Sequence, residues 1–338
     1  MSNARVVLSL VGVILGAAPA LAESKPPPAP APADAQKAAT PAQSSLTVGA
    51  LQIGSAPNLA IAGIDIIVAS DSVSYSYFVK NSGPAEANVA AAITLPELQA
   101  SGDGSEFWVL ASNDPENFVG LTVTSAGAPV TTKAEVHVTA LGVDRLAEIK
   151  TERLPLIPFG REVDKELGAL SPDAADRLAA LGLVSLRDPT QPKAPVSADW
   201  TLDVVRTWRQ TLPPGKTTPI VVKFVPVKAQ YRMTKDDLDD LDDLKDDICL
   251  KPQVLSTLQS RLKGNGAWNV IDISLADDAP AQWIDSPQAT LSIQKPKPDA
   301  IVAFCGMDEK SANRPTVLGS EPDESDGIRV LIFEPAGK

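Results

Sequence analysis

Chemistry-bearing side chains are scarce in this 338-residue chain, which has one histidine, two cysteines and only 4% aromatic residues. A single histidine excludes His-rich metal sites, and it leaves a Ser-His-Asp or Cys-His hydrolase only His137 to use. That residue alternates with Val136 and Val138, on what should be the polar side of a strand with Glu135 and Thr139 as same-face neighbours. No Gly-x-Ser-x-Gly elbow occurs, so His137 reads as a surface histidine rather than a catalytic one. No Gly-rich phosphate loop follows a strand, which leaves nucleotide binding without support. Basic charge is short as well: 42 acidic side chains face 30 basic ones, a net charge of −12. Such a chain repels phosphate backbones and anionic lipid at long range, so no nucleic-acid partner is expected.

Long apolar runs are equally rare. The one that stands out follows Arg5 and extends from Val6 to Ala22, closing with an Ala-x-Ala pattern at Ala20, Leu21 and Ala22. Residues 1–22 therefore read as a signal peptide, with the mature chain starting near Glu23. The alternative is a retained anchor, since about 17 apolar residues can just span a bilayer. No cysteine stands at the end of the run, so lipid attachment to a thiol there is excluded. The expected location is the periplasm or the medium, with no stable membrane insertion once the signal is cleaved. In such an oxidising compartment Cys249 and Cys305 are expected to pair, closing a loop worth about 4 kcal/mol in the chain-entropy model. Neither a Cys-x-x-Cys redox motif nor further metal partners for the two thiols are present.

Proline, in contrast, is plentiful at 30 residues. Residues 23–45 are Pro, Ala and Gln with little to bury, and read as an extended, disordered tether. Residues 46–150 carry strand patterns: Val73, Tyr75, Tyr77 and Val79 alternate with Ser74, Ser76 and Phe78, and Asn81, Ser82, Gly83 and Pro84 supply a turn. A second strand from Ala87 stops at Leu95-Pro96. Residues 151–195 switch to helical rules. One helix is expected from Pro158 to Leu170, and another is capped by Ser171, started by Pro172 and stopped by Gly182.

Residues 196–338 return to β. Trp200, Leu202, Val204 and Trp208 share one face of a strand, which packs both rings into the core rather than into a sugar-stacking platform. Pro213, Pro214, Gly215 and Lys216 then turn the chain into a Val-rich strand from Pro219 to Val227, which reads as a hairpin. A second helical insertion spans 234–262. Strands resume at Trp268–Leu275, Ala289–Gln294, Ala300–Cys305 and Ile328–Phe333. The fold class is α+β, mainly β: an antiparallel β-sandwich with immunoglobulin-like elements and two helical insertions.

The strand Tyr75 to Val79 with its Asn81-Ser82 turn and Leu95-Pro96 ending resembles the bacterial family called domain of unknown function 4424. The Trp-Arg-Gln-Thr-Leu-Pro-Pro-Gly block at Trp208 to Gly215, the Ile248-Cys249 pair and the Phe304-Cys305-Gly306 triplet carry the same likeness. The resemblance covers most of Leu46 to Pro335. It implies an exported, mainly β protein with a helical insertion and a cysteine pair, and it brings no activity and no catalytic residues. The Pro/Ala tether and an Asp-rich segment depart from the family pattern.

That segment, Asp236 to Asp247, places eight aspartates around Leu238, Leu241 and Leu244. On a helix those leucines and Ile248 form a stripe of roughly 120°. Asp237 falls in the first turn, Lys245 falls inside the stripe and has to snorkel, and Thr234 is the expected N-cap. An amphipathic helix with a solvated acidic face accounts for the pattern, because a rigid helix face spreads its carboxylates too widely to wrap one calcium ion. A flexible acidic loop with Asp323, Glu324 and Asp326, preceded by Glu321 and followed by Gly327, is a weak calcium candidate. No catalytic or cofactor-binding residues are assigned and no cofactor is expected. The sequence points to an exported, non-catalytic binding or interaction module of unknown ligand, its partner an unknown protein or an envelope component. The alternatives are a carboxylate-based, glycosidase-like hydrolase or a calcium-binding envelope protein.

Overall fold

The computed structural model describes residues 47–100, 108–186, 196–275, 289–308, 310–319 and 328–336. The expected signal peptide and the whole of the tether lie outside them, as does the acidic loop with Asp323, Glu324 and Asp326.

Strands β1 (Gln52–Ile53), β2 (Leu59–Ala69), β3 (Ser72–Asn81), β4 (Ala87–Thr94), β5 (Leu98–Gln99), β6 (Trp108–Val109), β7 (Thr122–Ser125), β8 (Ala128–Pro129), β9 (Lys133–Ala140) and β10 (Val143–Asp144) come first. Helices α1 (Leu146–Thr151), α2 (Arg161–Gly168) and α3 (Pro172–Ala180) follow. Next come β11 (Val184–Ser185), β12 (Ser197–Ala198), β13 (Thr201–Leu212), β14 (Thr217–Phe224) and β15 (Lys228–Met233). A short 3-10 turn over Lys235–Asp237 leads into α4 (Leu238–Asp247) and α5 (Pro252–Lys263). Strands β16 (Trp268–Leu275), β17 (Ala289–Gln294), β18 (Ile301–Ala303), β19 (Thr316–Gly319) and β20 (Ile328–Pro335) complete the described chain. The protein is mainly β, with largely antiparallel sheets.

The pairing corrects one expectation. β13 and β14 form no hairpin: β13 pairs with β4 and β9, whereas β14 pairs with β3 and β7. The Pro213 to Lys216 turn is an arch that carries the chain from one sheet to another, as is the Asn81 to Pro84 turn between β3 and β4. Alternation within a strand fixes which residues share a face, but it does not name the partner strand. The six-stranded sheet runs β1-β4-β13-β9-β10 with β5 beside β13, and the seven-stranded sheet runs β19-β17-β2-β3-β14-β7-β8. Inward residues from both meet in one apolar cluster, Tyr75, Tyr77, Ile220 and Val222 from one sheet and Ile93, Val138, Leu202 and Val204 from the other.

Asn81 holds the two arches together. Its side chain is 1% exposed. Nδ2 donates to the carbonyls of Ala85 (3.0 Å) and Leu212 (2.9 Å), and Oδ1 accepts from the backbone N–H of Gly83 (2.9 Å). The Asn81 backbone N–H donates to Lys216 across the second arch. Every polar atom of this buried amide is thus paired, as burial requires.

A third sheet, β18-β20-β16-β15-β6, is covered on both faces over much of its area. Ile271, Ile273, Val330 and Ile332 join the main core, while Trp268, Val270, Leu331 and Phe333 pack beneath α4 and α5. Near-continuous burial along β20 reflects this double covering. The helical segment expected over 234–262 is two helices. Between them Cys249 takes φ +51, and Leu250 N–H donates back to Lys245 O in a Schellman-type closure. Pro252 then occupies the first turn of α5. Farther upstream, α3 begins and ends as expected, with Ser171 Oγ accepting from Ala174 N–H and Gly182 at φ +73. α2 is shorter than expected, starting after Gly160 at φ +100.

Candidate functional site

Lys228, Gln230 and Arg232 alternate along β15 with Ala229, Tyr231 and Met233, so one face of the strand is polar and the other apolar. Tyr231 and Met233 pack into the cluster under α4 and α5. On the opposite face the register brings Arg232 opposite Asn269 of β16, and Asn269 opposite Glu334 of β20. These three polar side chains form a single row across three strands. The next row is Gln230, Ile271 and Ile332, the last two belonging to the main core. Where the sheet emerges from under that core, Gln230, Arg232, Asn269, Ile271 and Glu334 line an open cleft of about 390 Å³. Its floor changes from polar to aliphatic within two rows.

Charged groups flank the cleft unevenly. Lys297 Nζ donates to Glu334 Oε2 at 2.6 Å, and this bond holds the lysine pKa above its usual range. Lys228 Nζ donates to the carbonyl of Ser70 in the β2–β3 turn. Burial pulls the Lys228 pKa down, partly opposed by the charges of Asp71 and Glu334. Arg232 is exposed and makes no side-chain hydrogen bond or ion pair among the described residues.

The residues singled out from sequence are distributed elsewhere. Cys249 and Cys305 are bonded, with Cα atoms 5.0 Å apart, and tie the break after α4 to the chain just beyond β18. In the acidic helix Leu241 and Ile248 are fully buried while Leu238 and Leu244 are partly so, and Lys245 is exposed. Thr234 caps its start, with Asp237 Oδ2 accepting from Thr234 N–H at 2.6 Å to complete a capping box. Trp200 and Trp208 are buried, their Nε1 atoms donating to Leu156 O (2.8 Å) and Gln210 Oε1 (3.2 Å). Among the described residues no group of three or more His, Cys, Asp or Glu side chains is arranged to hold a metal ion.

His137 is exposed on the outer face of β9, and its Nδ1 lies 2.8 Å from Asp144 Oδ2. Asp203 stands directly opposite on β13. The His137 hydrogen bond holds the Asp144 carboxyl below its ordinary range, while burial and the nearby charge of Glu97 push Asp203 up. Neither partner of His137 is a neighbour along its own strand, so sequence spacing gave no sign of this group. The cleft was missed for a different reason. The six-residue alternation Lys-Ala-Gln-Tyr-Arg-Met is a complete strand signal, but it lies between a strand ending at Val227 and a helix starting at Thr234.

Comparison with known proteins turns up one sequence family, described as a domain of unknown function and designated DUF4424, which matches residues 39–322. The chain belongs to this family. The DUF4424 match takes in all of the candidate cleft except Glu334. No curated protein matches the chain. Among solved structures, a protein of Legionella pneumophila provisionally described as nutrient binding aligns with this DUF4424 chain at 10% identity and a TM-score of 0.34. That alignment covers 85% of this chain and 71% of the other.

Proposed function

We propose that this protein is an exported, non-catalytic binding module whose ligand sits in the cleft over β15, β16 and β20. The observation that carries the reading is the cleft itself. It is an open concavity of about 390 Å³, within the small-molecule range, in which polar side chains from three strands converge beside an aliphatic edge. The Cys249–Cys305 bond supports an oxidising location, periplasmic or extracellular, and so does the Val6 to Ala22 run. Among the described residues no helix is long and apolar enough to cross a membrane. The shared core of the six- and seven-stranded sheets supports reading them as the two layers of a β-sandwich with immunoglobulin-like elements.

The test is a thermal-shift screen of small solutes on the wild type and on Asn269→Trp, which fills the cleft. A bound solute at a hundred times its Kd stabilises by about 2.7 kcal/mol. Stabilisation that disappears in Asn269→Trp is the expected result. A solute effect that survives the filled cleft places the ligand elsewhere and overturns the reading.

A second reading is favoured by the pair around His137. Asp144 is held down and Asp203 held up, the opposed environments that carboxylate-based hydrolysis needs. Against it, the His137 and Asp144 side chains are 52% and 49% exposed on an outer strand face, where water would compete at every step. Release of nitrophenol from aryl glycosides by the wild type but not by Asp203→Asn would establish the hydrolase. The calcium alternative has its own readout: a rise in melting temperature on adding calcium ions, lost when Asp323, Glu324 and Asp326 are replaced by the corresponding amides.

A further inference from the structure

We propose that the cleft recognises a small solute carrying an oxyanion, a carboxylate or a phosphate, with Arg232 as its anchor. This rests on the reading of the cleft as the binding site and adds the ligand's chemical class. Three observations converge on it. The Arg232 guanidinium lines the cleft and has no hydrogen-bonding or ionic partner among the described residues, in a chain where acidic side chains outnumber basic ones. The one carboxylate in its row, Glu334, is not its partner: Lys297 neutralises Glu334 from the far side. Lys228 adds a further positive charge on the polar face of the same strand, its ammonium held by a neutral carbonyl rather than by a carboxylate. Among the described residues Lys297 offsets Glu334 and Asp71 lies near Lys228, which leaves Arg232 as a local excess of one positive charge where the molecule as a whole is acidic.

The donor geometry selects within anions. A guanidinium offers a planar fork that matches two oxygens of one carboxylate or phosphate, which a lysine cannot do. Asn269, adjacent in the same row, and Gln230, in the next, present amides that can donate to a remaining oxygen. Ile271 at the polar boundary provides an apolar surface for a short carbon frame. A volume of about 390 Å³ is at the low end for small-molecule sites, enough for a small solute.

Backbone amide NMR on the folded full-length protein tests this with three probes: succinate, inorganic phosphate and uncharged glucose, each at about 10 mM so that millimolar affinity is visible. Succinate or phosphate should perturb the amides of Gln230, Tyr231, Arg232 and Asn269. Affinity should fall about tenfold or more in Arg232→Gln, fall less in Arg232→Lys, weaken as salt is raised, and be unchanged in Lys263→Gln on α5. Preference between succinate and phosphate identifies which oxyanion the fork accepts. If glucose alone perturbs those amides, the cleft binds a ligand but the anion assignment is wrong. If no probe perturbs them, or if Arg232→Gln binds the anions as well as the wild type, the proposal is overturned, and in the first case the cleft reading fails with it.

Discussion

Single side chains set the stability of this protein at a few identifiable points. Asn81 makes three side-chain bonds that join two arches, and replacing it with alanine strands buried backbone groups. Asn81→Ala is expected to cost about 2 to 4 kcal/mol, measured by denaturant unfolding. Tyr77 is 1% exposed and its hydroxyl accepts from Leu51 N–H, yet burial dominates and raises its pKa to about 12. Because the folded state holds that proton more tightly than the unfolded state does, the associated stability is intact below pH 10 and is lost between pH 10 and 12. The loss amounts to up to about 2 to 3 kcal/mol, and Tyr77→Phe should flatten that alkaline decline. Asp203 gives an effect of the same sign at lower pH. Its raised pKa means that its charge at neutral pH opposes folding. Asp203→Asn should therefore stabilise by on the order of half a kcal/mol once solvent screening is allowed for, a gain that vanishes in acid where the wild-type carboxyl is protonated.

At the scale of elements, local rules acted where the residues that enforce them are close in sequence. Ser171, Pro172 and Gly182 delimit α3, and the alternations in β16 and β17 give those strands their observed bounds. Thr234→Ala should cost about 1 kcal/mol of unfolding free energy by opening the capping box. Gly182→Ala tests a backbone demand: at φ +73 a β-carbon costs about 1 to 2 kcal/mol. It would also come within 2.6 Å of the Leu141 side chain, but that side chain is 82% exposed and can move aside, so the backbone term decides. The split between α4 and α5 was less legible because its reversal uses Cys249 in a conformation usually left to glycine. Here the sulfur has to reach Cys305, and that requirement outweighs the local preference. The candidate site was legible only in part: Asn269 and Glu334 lie on or beside strands that the sequence suggested, whereas Arg232 and Gln230 sit on the strand it hid.

For the whole molecule, what the sequence could not reveal is which strand lies beside which. Residues within an arch look the same whether the chain folds back on its own sheet or crosses to another, so the β13–β14 turn read as a hairpin. His137 and Asp203, 66 positions apart, meet only through the register of β9 and β13. The disulfide acts at this scale too, fastening the helical pair to the third sheet. Replacing Cys249 and Cys305 with serine should remove about 2 to 4 kcal/mol. For a protein of this size that is a drop of roughly 3 to 7 °C in melting temperature by calorimetry, with the secondary structure retained.

The long strand β2 has β17 as its parallel neighbour, with Asp65 alongside Thr290. Thr290 Oγ1 donates to Asp65 Oδ1 at 2.6 Å across 225 positions of chain. During synthesis, β2 has only β3 beside it until about the last seventh of the 338 residues emerges. The seven-stranded layer is consequently finished late, and a ribosome-bound chain halted before Ala289 should leave the free edge of β2 open to hydrogen exchange and to adventitious strand pairing.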